Sequence, residues 1–360
     1  MTHIDTIIIG GGLAGLYTAM RLRMQKIPFI LLEAKPTLGG RISSKPVLGG
    51  SNLSVDLGPT WFWPHQKRMM KLITELKVEY FEQYTAGDAL YQLRSDVAPS
   101  RTLGAGTLQS YRIKGGMHRL IKALADVLDP QSLKISHTVT SVEHINKHWN
   151  VLAKNENSVQ SFCAKQLIIA VPPRLMLKYL TPEKYLSNKL MQALAATQTW
   201  MSGQAKFVAV YEKPFWREQG LAGQAFSQVG PMVEIHDASA TSDEGYALFG
   251  FIGIESSIRK KITIEQLKAK CIEQLVSLFG TAANKSAVCY LTDWADDKYV
   301  ATSQDIKEPP RHSTLSIKRY NEELFQLNLH LVSTEVSQDE TGYLEGALSA
   351  ADDAIKQIVN

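Results

Sequence analysis

Thr6-Ile-Ile-Ile-Gly-Gly-Gly-Leu-Ala-Gly15 sets an apolar strand directly against a glycine-rich turn, and a helical stretch, Leu16–Arg23, follows it. A second apolar strand, Phe29-Ile-Leu-Leu32, runs into Glu33. Strand, turn, helix, strand and acid, with the acid about 20 residues past the turn, is the order that holds a dinucleotide. In Gly10-x-Gly12-x-x-Gly15, Gly10 permits the tight turn, Gly12 lets a pyrophosphate approach the backbone, and Gly15 lets the helix pack on the strand. The helix N-terminus offers free N–H groups and partial positive charge to phosphates. Glu33 would accept hydrogen bonds from the adenosine ribose, and its charge favours a free 2′-hydroxyl over a 2′-phosphate.

Composition narrows the class. A chain of 360 residues is long enough for two domains with their own cores. Its 44% hydrophobic and 21% charged content is that of a soluble globular protein. A net charge of +4, with no basic run interleaved with aromatics, argues against nucleic acid and against a membrane surface. No apolar run nears the roughly 20 residues of a membrane span. No basic and apolar leader precedes the first strand, so a cytoplasmic location is expected. Cys163, Cys271 and Cys289 are odd in number and far apart, which suits a reducing compartment and no disulfide framework. The histidines make no HExxH motif, and no metal is expected.

Along the chain, Val55–Trp63 reads as a short strand ending in an aromatic loop, and Gln66–Leu76 as a helix. Residues 79–110 are polar and carry no clear assignment. Leu120, Ile121, Leu124 and Leu128 share one face of a helix opened by Lys114-Gly-Gly-Met117. Strands are expected near Leu133–Val142 and Trp149–Ala153. The run Gln166–Val171 is apolar on both faces, as a central parallel strand is, and Pro172-Pro173 ends it. Helices near Tyr185–Ala196 and Ile264–Leu278 flank strands near Gln204–Tyr211 and Tyr246–Ile252. A last strand, Leu327–Val332, leads through Glu335 and Gly342-Tyr343 to a helix from Leu344. This order predicts an α/β fold: a discontinuous dinucleotide domain (1–78, 111–173 and 294–360) with an inserted α+β substrate domain (79–110 and 174–293).

Five blocks, in order, resemble the flavin-containing monoamine oxidase family, a branch of the glutathione-reductase-like FAD proteins. They are Ile7–Leu16; Leu31-Leu-Glu-Ala-Lys-Pro-Thr-Leu-Gly-Gly-Arg41 with Asp56-Leu-Gly58; Lys114-Gly-Gly-Met117; Ala205-Lys-Phe-Val with Pro214-Phe-Trp216; and Ser333-Thr-Glu335 with Gly342-Tyr-Leu-Glu-Gly346. The resemblance implies a glutathione-reductase-like FAD-binding Rossmann domain. It places cofactor contacts at Gly10, Gly12, Leu13, Ala14 and Gly15, at Glu33, Ala34 and Lys35, and at Gly40 and Arg41. Arg41 can neutralise the pyrophosphate through a forked pair of hydrogen bonds. Gly58, Pro59, Thr60 and Trp61 match the segment along the flavin ring, and Val139 the backbone that reads adenine. Glu335 matches an acid near the ribityl–pyrophosphate end, and the Leu344 amide faces the flavin O2 side.

Lys206 shares a strand face with Val208 and Val210, where an ammonium needs a partner. The resemblance gives it a catalytic role, holding a water against flavin N5. Tyr343 matches one wall of an aromatic cage for the substrate amine. The other wall falls at Gln304, so half the cage is polar; Ser303 stands where covalently flavinylated members have cysteine, which implies noncovalent FAD. The function expected is an FAD-dependent amine oxidase: the amine α-carbon gives a hydride to flavin N5, and O2 is reduced to hydrogen peroxide. Three other readings stay open at this point, a desaturase or porphyrinogen-oxidase-like enzyme, a flavin-binding partner protein without amine turnover, and a nicotinamide dehydrogenase.

Overall fold

In the computed structural model, which describes residues 2–47, 52–103 and 109–359, strand alternation sorts the core into layers. Ile8, Leu31 and Ile168 face one side of the first sheet, where the helices Leu13–Met24, His118–Asp126 and Leu344–Val359 pack. Ile7, Ile9, Ile30, Leu32, Leu167 and Ile169 face the other, against the helices Pro173–Leu180 and Asn188–Ala195. Burial on both faces explains why these strands are apolar throughout. The sheet order is Thr138–Ile145, His148–Lys154, Val159–Ile169, Thr2–Ile9, Phe29–Leu32, Leu133–Lys134, with Leu329–Leu331 paired to Val159–Ile169. Thr2–Ile9 runs parallel to both its neighbours, as a strand–helix–strand unit requires.

The Val159–Ile169 strand begins earlier than the apolar run at Gln166 suggests. Its first half pairs antiparallel with His148–Lys154, and its end pairs in parallel with Leu329–Leu331. The first half carries Gln160, Ser161 and Lys165 among its apolar residues, so it lacks the continuous signal of the second.

The second sheet runs Val288–Asp293, Ala205–Val210, Ala247–Ile252, Met232–Asp237, Leu221–Ser227, Asp88–Gln92, Ser100–Thr102. Ala205, Phe207 and Ala209 join the core made with Leu267, Cys271 and Leu275 of the helix Ile264–Phe279. Thr263 starts that helix with a reciprocal capping box to Gln266. Val208, Val210 and Phe249 face the opposite way, onto Val55 and Leu57. The outer strands Asp88–Gln92 and Ser100–Thr102 come from the stretch 79–110, which the sequence left unassigned. Residues 48–51 of the Gly/Ser-rich loop and 104–108 of that stretch lie outside the described residues.

One long-range cap ties the last helix to the first half of the chain. The helix Lys67–Glu75 has no side-chain cap of its own at Gln66. Instead the Glu345 carboxylate accepts from Arg68 N at 3.0 Å and Met69 N at 2.9 Å, at a helix N-terminus that favours negative charge. Arg68 Nη1 also donates to it, at 3.3 Å. Replacing Glu345 with Ala should destabilise the protein by about 1–2 kcal/mol, with Glu345→Gln recovering part of the loss, as read by thermal unfolding.

Candidate active site

The turn after the first strand shows which glycines the protein itself needs. Gly10 has φ +108°, and a Cβ there would meet the Ala170 carbonyl at 2.9 Å. A Cβ on Gly15 would stand 2.0 Å from the Gly10 carbonyl, so glycine is the only residue that lets this helix close on the strand. Gly12 differs. Its backbone is extended (φ −77°, ψ −174°), and its nearest neighbours would be Gly39 O and Gly40 Cα, both 3.9 Å away. Among the described residues no protein atom demands a glycine there. The helix beyond has no acid in its first turn and no side-chain cap, so its N-terminal amides stay available to an anion. Leu13 and Ala14 are the first residues of that helix.

Glu33 sits at the mouth of this turn, 7% exposed. Its Oε2 accepts from Gly11 N at 2.6 Å, and its Oε1 from Lys35 N at 2.8 Å. Burial raises its pKa, and the two backbone donors oppose that rise. Each carboxylate oxygen retains a lone pair for a ribose hydroxyl. His137 N donates to Glu33 O and Ser136 N to Lys35 O, which draws the strand carrying Val139 alongside Glu33, Ala34 and Lys35. The Lys35 ammonium is not free at this end: it forms an ion pair with Asp297.

Gly39 and Gly40 pack onto the first glycine turn, with Gly39 N donating to Gly11 O at 2.8 Å. Arg41 Nη1 then donates to Glu335 Oε1 at 2.7 Å and to Trp200 O at 3.1 Å. Glu335 is 1% exposed, and its second oxygen, Oε2, is buried without a partner among the described residues. A buried carboxylate oxygen left unbonded is costly, and a hydroxyl-bearing ligand would satisfy it. The sequence assigned Arg41 and Glu335 to one cofactor from opposite ends of the chain, and the structure brings them into contact.

The same holds at Lys206. It is 2% exposed, on the sheet face that packs against Val55 and Leu57. Its Nζ donates to Gly58 O at 3.1 Å and to Thr60 Oγ1, and it stands 3.9 Å from the centre of the Phe249 ring. These contacts stabilise a charge that burial penalises. Burial pushes the Lys206 pKa down to about 7; Asp56 pulls it up and Arg112 pushes it down. Two of three N–H groups are engaged with protein, which leaves one donor for a further partner. Gly58 is pinned because a Cβ would lie 2.0 Å from Arg41 O. Pro59 carries the chain from Gly58 to Thr60. Trp61 donates to Gln83 at 2.7 Å and packs edge-on against His236. Trp61 thus packs partly into the core beside Phe249 and His236.

Tyr343 lies at the turn before the last helix, which starts at Leu344. Thr334 Oγ1 fixes that turn, donating to Tyr343 O at 2.8 Å and accepting from Gly342 N at 2.9 Å. Gln304 is exposed on the short helix Ser303–Lys307, where it donates to Glu308 at 2.9 Å. The rings beside Tyr343 are instead Trp63, edge-on at 5.9 Å, and His312, stacked at 5.2 Å. His312 stacks in turn on Trp200 at 3.7 Å. The sequence reading missed Trp200, His312 and Asp297. All three lie in segments with no motif and meet the site only through the tertiary fold.

The profile of the flavin containing amine oxidoreductase family matches residues 77–358, and that of an NAD(P)-binding Rossmann-like domain matches residues 8–76. A probable flavin-containing monoamine oxidase A of Dictyostelium discoideum is 20% identical over 99% of this chain and 98% of its own length. A putative flavin-containing monoamine oxidase of Mycobacterium tuberculosis is 27% identical over 69% of this chain and 52% of its own. A solved triple mutant of putrescine oxidase superposes with a TM-score of 0.83 at 19% identity, covering 99% of both chains, which establishes the shared fold.

Proposed function

Since the chain belongs to the flavin containing amine oxidoreductase family, we propose that it is an FAD-dependent amine oxidase with Lys206 at its catalytic centre. FAD fits the residues present: a Cβ on Gly12 would meet no described atom nearer than 3.9 Å, which leaves its backbone room for a pyrophosphate, and Glu335 Oε2 is buried without a hydrogen-bond partner among the described residues. Glu33 takes the adenosine ribose, the first helix N-terminus and Arg41 take the pyrophosphate, and Gly58–Trp61 lie along the ring. Bound FAD would supply acceptance of a hydride equivalent from the amine α-carbon, with the amine N–H proton released to leave an imine, and transfer of that electron pair to O2, which with two protons becomes hydrogen peroxide.

The observation that carries this reading is the placement of the Lys206 ammonium on Gly58 O and Thr60 Oγ1. With its pKa near 7, Lys206 exchanges a proton at Nζ in the neutral range, where acid–base chemistry is most efficient. The Leu344 amide, first in its helix, brings the positive end of a helix dipole to the site. Tyr343 holds the substrate amine. Ser303 in place of cysteine supports noncovalent retention of FAD. No helix among the described residues is long and apolar enough to cross a membrane. Cys163, Cys271 and Cys289 are free thiols, which supports a reducing, cytoplasmic setting for the reaction.

Purified protein should be yellow, release its flavin on denaturation, and produce hydrogen peroxide with at least one class in a panel of aryl-alkyl amines, diamines and amino acids. Colourless protein that stays colourless after incubation with FAD would sink the reading. Yellow protein whose flavin no amine bleaches without oxygen would restrict it to flavin binding.

A further inference from the structure

Three charged side chains lie buried around the segment that leads to Gly58: Asp56, Arg112 and Lys206, each 2% exposed. Asp56 ends the strand Ser54–Asp56, two residues before the carbonyl that accepts from Lys206 Nζ at 3.1 Å. Its Oδ1 holds the local fold, accepting from Ser44 Oγ at 2.6 Å and from Met117 N at 2.7 Å. Its Oδ2 has no hydrogen-bond partner among the described residues and stands 4.0 Å from Arg112 Nη2. Arg112 donates to Ser239 O at 2.7 Å and to Ala238 O at 3.1 Å, both uncharged acceptors, and its Nε is likewise unbonded. The other charges near this group are already paired or absent. Asp237 binds Arg217 at 2.8 Å and Trp216 at 2.9 Å. Burial holds the His118 pKa down, so the ring near Asp56 is neutral at pH 7. The Phe249 and Phe251 rings beside Lys206 carry no charge.

We propose that Asp56 and Arg112 are positioning residues that govern, through their opposed charges, whether Lys206 keeps its proton: Asp56 holds it on and Arg112 drives it off. Two buried charges that touch without a hydrogen bond give weak anchorage for the desolvation they suffer. Their fields, however, reach further in a dry interior than they would in water. Lys206 lies within that reach: Asp56 pulls its pKa up and Arg112 pushes it down, against a burial effect larger than either. Asp56 and Arg112 also hold each other ionised, each opposing the neutralising effect of burial on its partner. The strand Ser54–Asp56 and the strand Tyr111–Ile113 thus bring opposite charges to a lysine on a third strand, Ala205–Val210. The proposal rests on the amine oxidase reading for what Lys206 does in turnover, and on the buried cluster alone for the coupling.

The test is the pH dependence of melting temperature in the FAD-loaded protein, with each variant read against the same variant carrying Lys206→Met. That difference isolates the proton at position 206. In the wild type it should begin to grow near pH 7, where folded Lys206 becomes neutral while the unfolded lysine is still charged. Asp56→Asn keeps an acceptor for Ser44 and Met117 and should move this onset down by about one pH unit. Arg112→Met should move it up. The double variant should return toward the wild type, whereas structural damage would accumulate. The pH midpoint of flavin reoxidation by O2 should shift in the same two directions. Onsets that stay put in both single variants, or that move the same way, overturn the proposal. If Asp56→Asn does not fold, the upward shift in Arg112→Met alone decides. Opposed shifts in melting without amine oxidation leave the coupling standing and end the oxidase reading. Amine oxidation with unmoved onsets ends the coupling alone.

Discussion

Lys206→Met should retain FAD yet lose turnover by about a hundredfold or more, the usual scale for removing a positioned acid–base group. The Lys206 contacts are with Gly58 O and Thr60 Oγ1, both protein groups, so the variant loses no direct cofactor anchor such as Arg41 or Glu33. Methionine fills similar volume beside Phe249 and Phe251. Stopped-flow measurement separates the two half-reactions, amine reduction under anaerobic conditions and reoxidation by O2. The loss should fall mainly on reoxidation or on release of the oxidised product. Wild-type rates in both half-reactions would remove Lys206 from the mechanism.

The same residue predicts a pH signature in stability. The folded pKa of Lys206 is about 7, while an unfolded lysine titrates near 10.4. Between these values the unfolded chain binds the extra proton, so stability rises with pH across that window and is lowest where Lys206 is charged in both states. From pH 7 to 8.5 the gain from this one group is about 1.5 kcal/mol. Above that the raised pKa of buried Cys271 acts in the opposite sense, since the unfolded thiol ionises first. Lys206→Met should flatten the rise between pH 7 and 8.5, measured as melting temperature or denaturant midpoint.

Much of this site is legible because its residues answer to local rules. The strand, turn, helix and acid at Thr6–Glu33 are fixed by spacing, and Lys206 is conspicuous because period two puts it on an apolar face. That face is indeed the one packed against Val55 and Leu57. Other parts carry no local signature. Leu221–Ser227 and Met232–Asp237 are strands whose Gly223, Gln224, Glu234 and His236 blur the alternation, and only pairing within the second sheet defines them. Asp88–Gln92 is short and joins that sheet through a parallel pairing with a strand far along the chain. Trp200 and His312 stack although they lie far apart in sequence, in segments whose composition is ordinary. Gln304, which the family pattern puts opposite Tyr343, sits on a short helix started by the capping box at Thr302 and Asp305, where it is exposed and donates to Glu308.

Gly12→Ala should fold like the wild type and fail to hold FAD, whereas Gly15→Ala should fail to fold. The two glycines sit in one motif but are required for different reasons. At Gly15 the added methyl would lie 2.0 Å from Gly10 O, a clash that only a shift of strand or helix backbone relieves. At Gly12 the methyl meets nothing nearer than 3.9 Å, and the backbone is one that alanine adopts freely. Without cofactor, Gly12→Ala should therefore match or slightly exceed wild-type stability, by up to about 1 kcal/mol, because alanine restricts the unfolded chain. With FAD present the methyl stands where the pyrophosphate must approach the backbone. Steric displacement of about 1–3 kcal/mol, added to weakened amide hydrogen bonds, lowers affinity about a hundredfold. The measurement is paired: thermal unfolding of flavin-free protein, and flavin retained after gel filtration or by fluorescence titration. A Gly12→Ala protein that binds FAD as tightly as the wild type would mean that the pyrophosphate does not cross this turn. Normal folding with lost binding would show that Gly12 is kept for the ligand, since the protein's own packing makes no demand for glycine at that position.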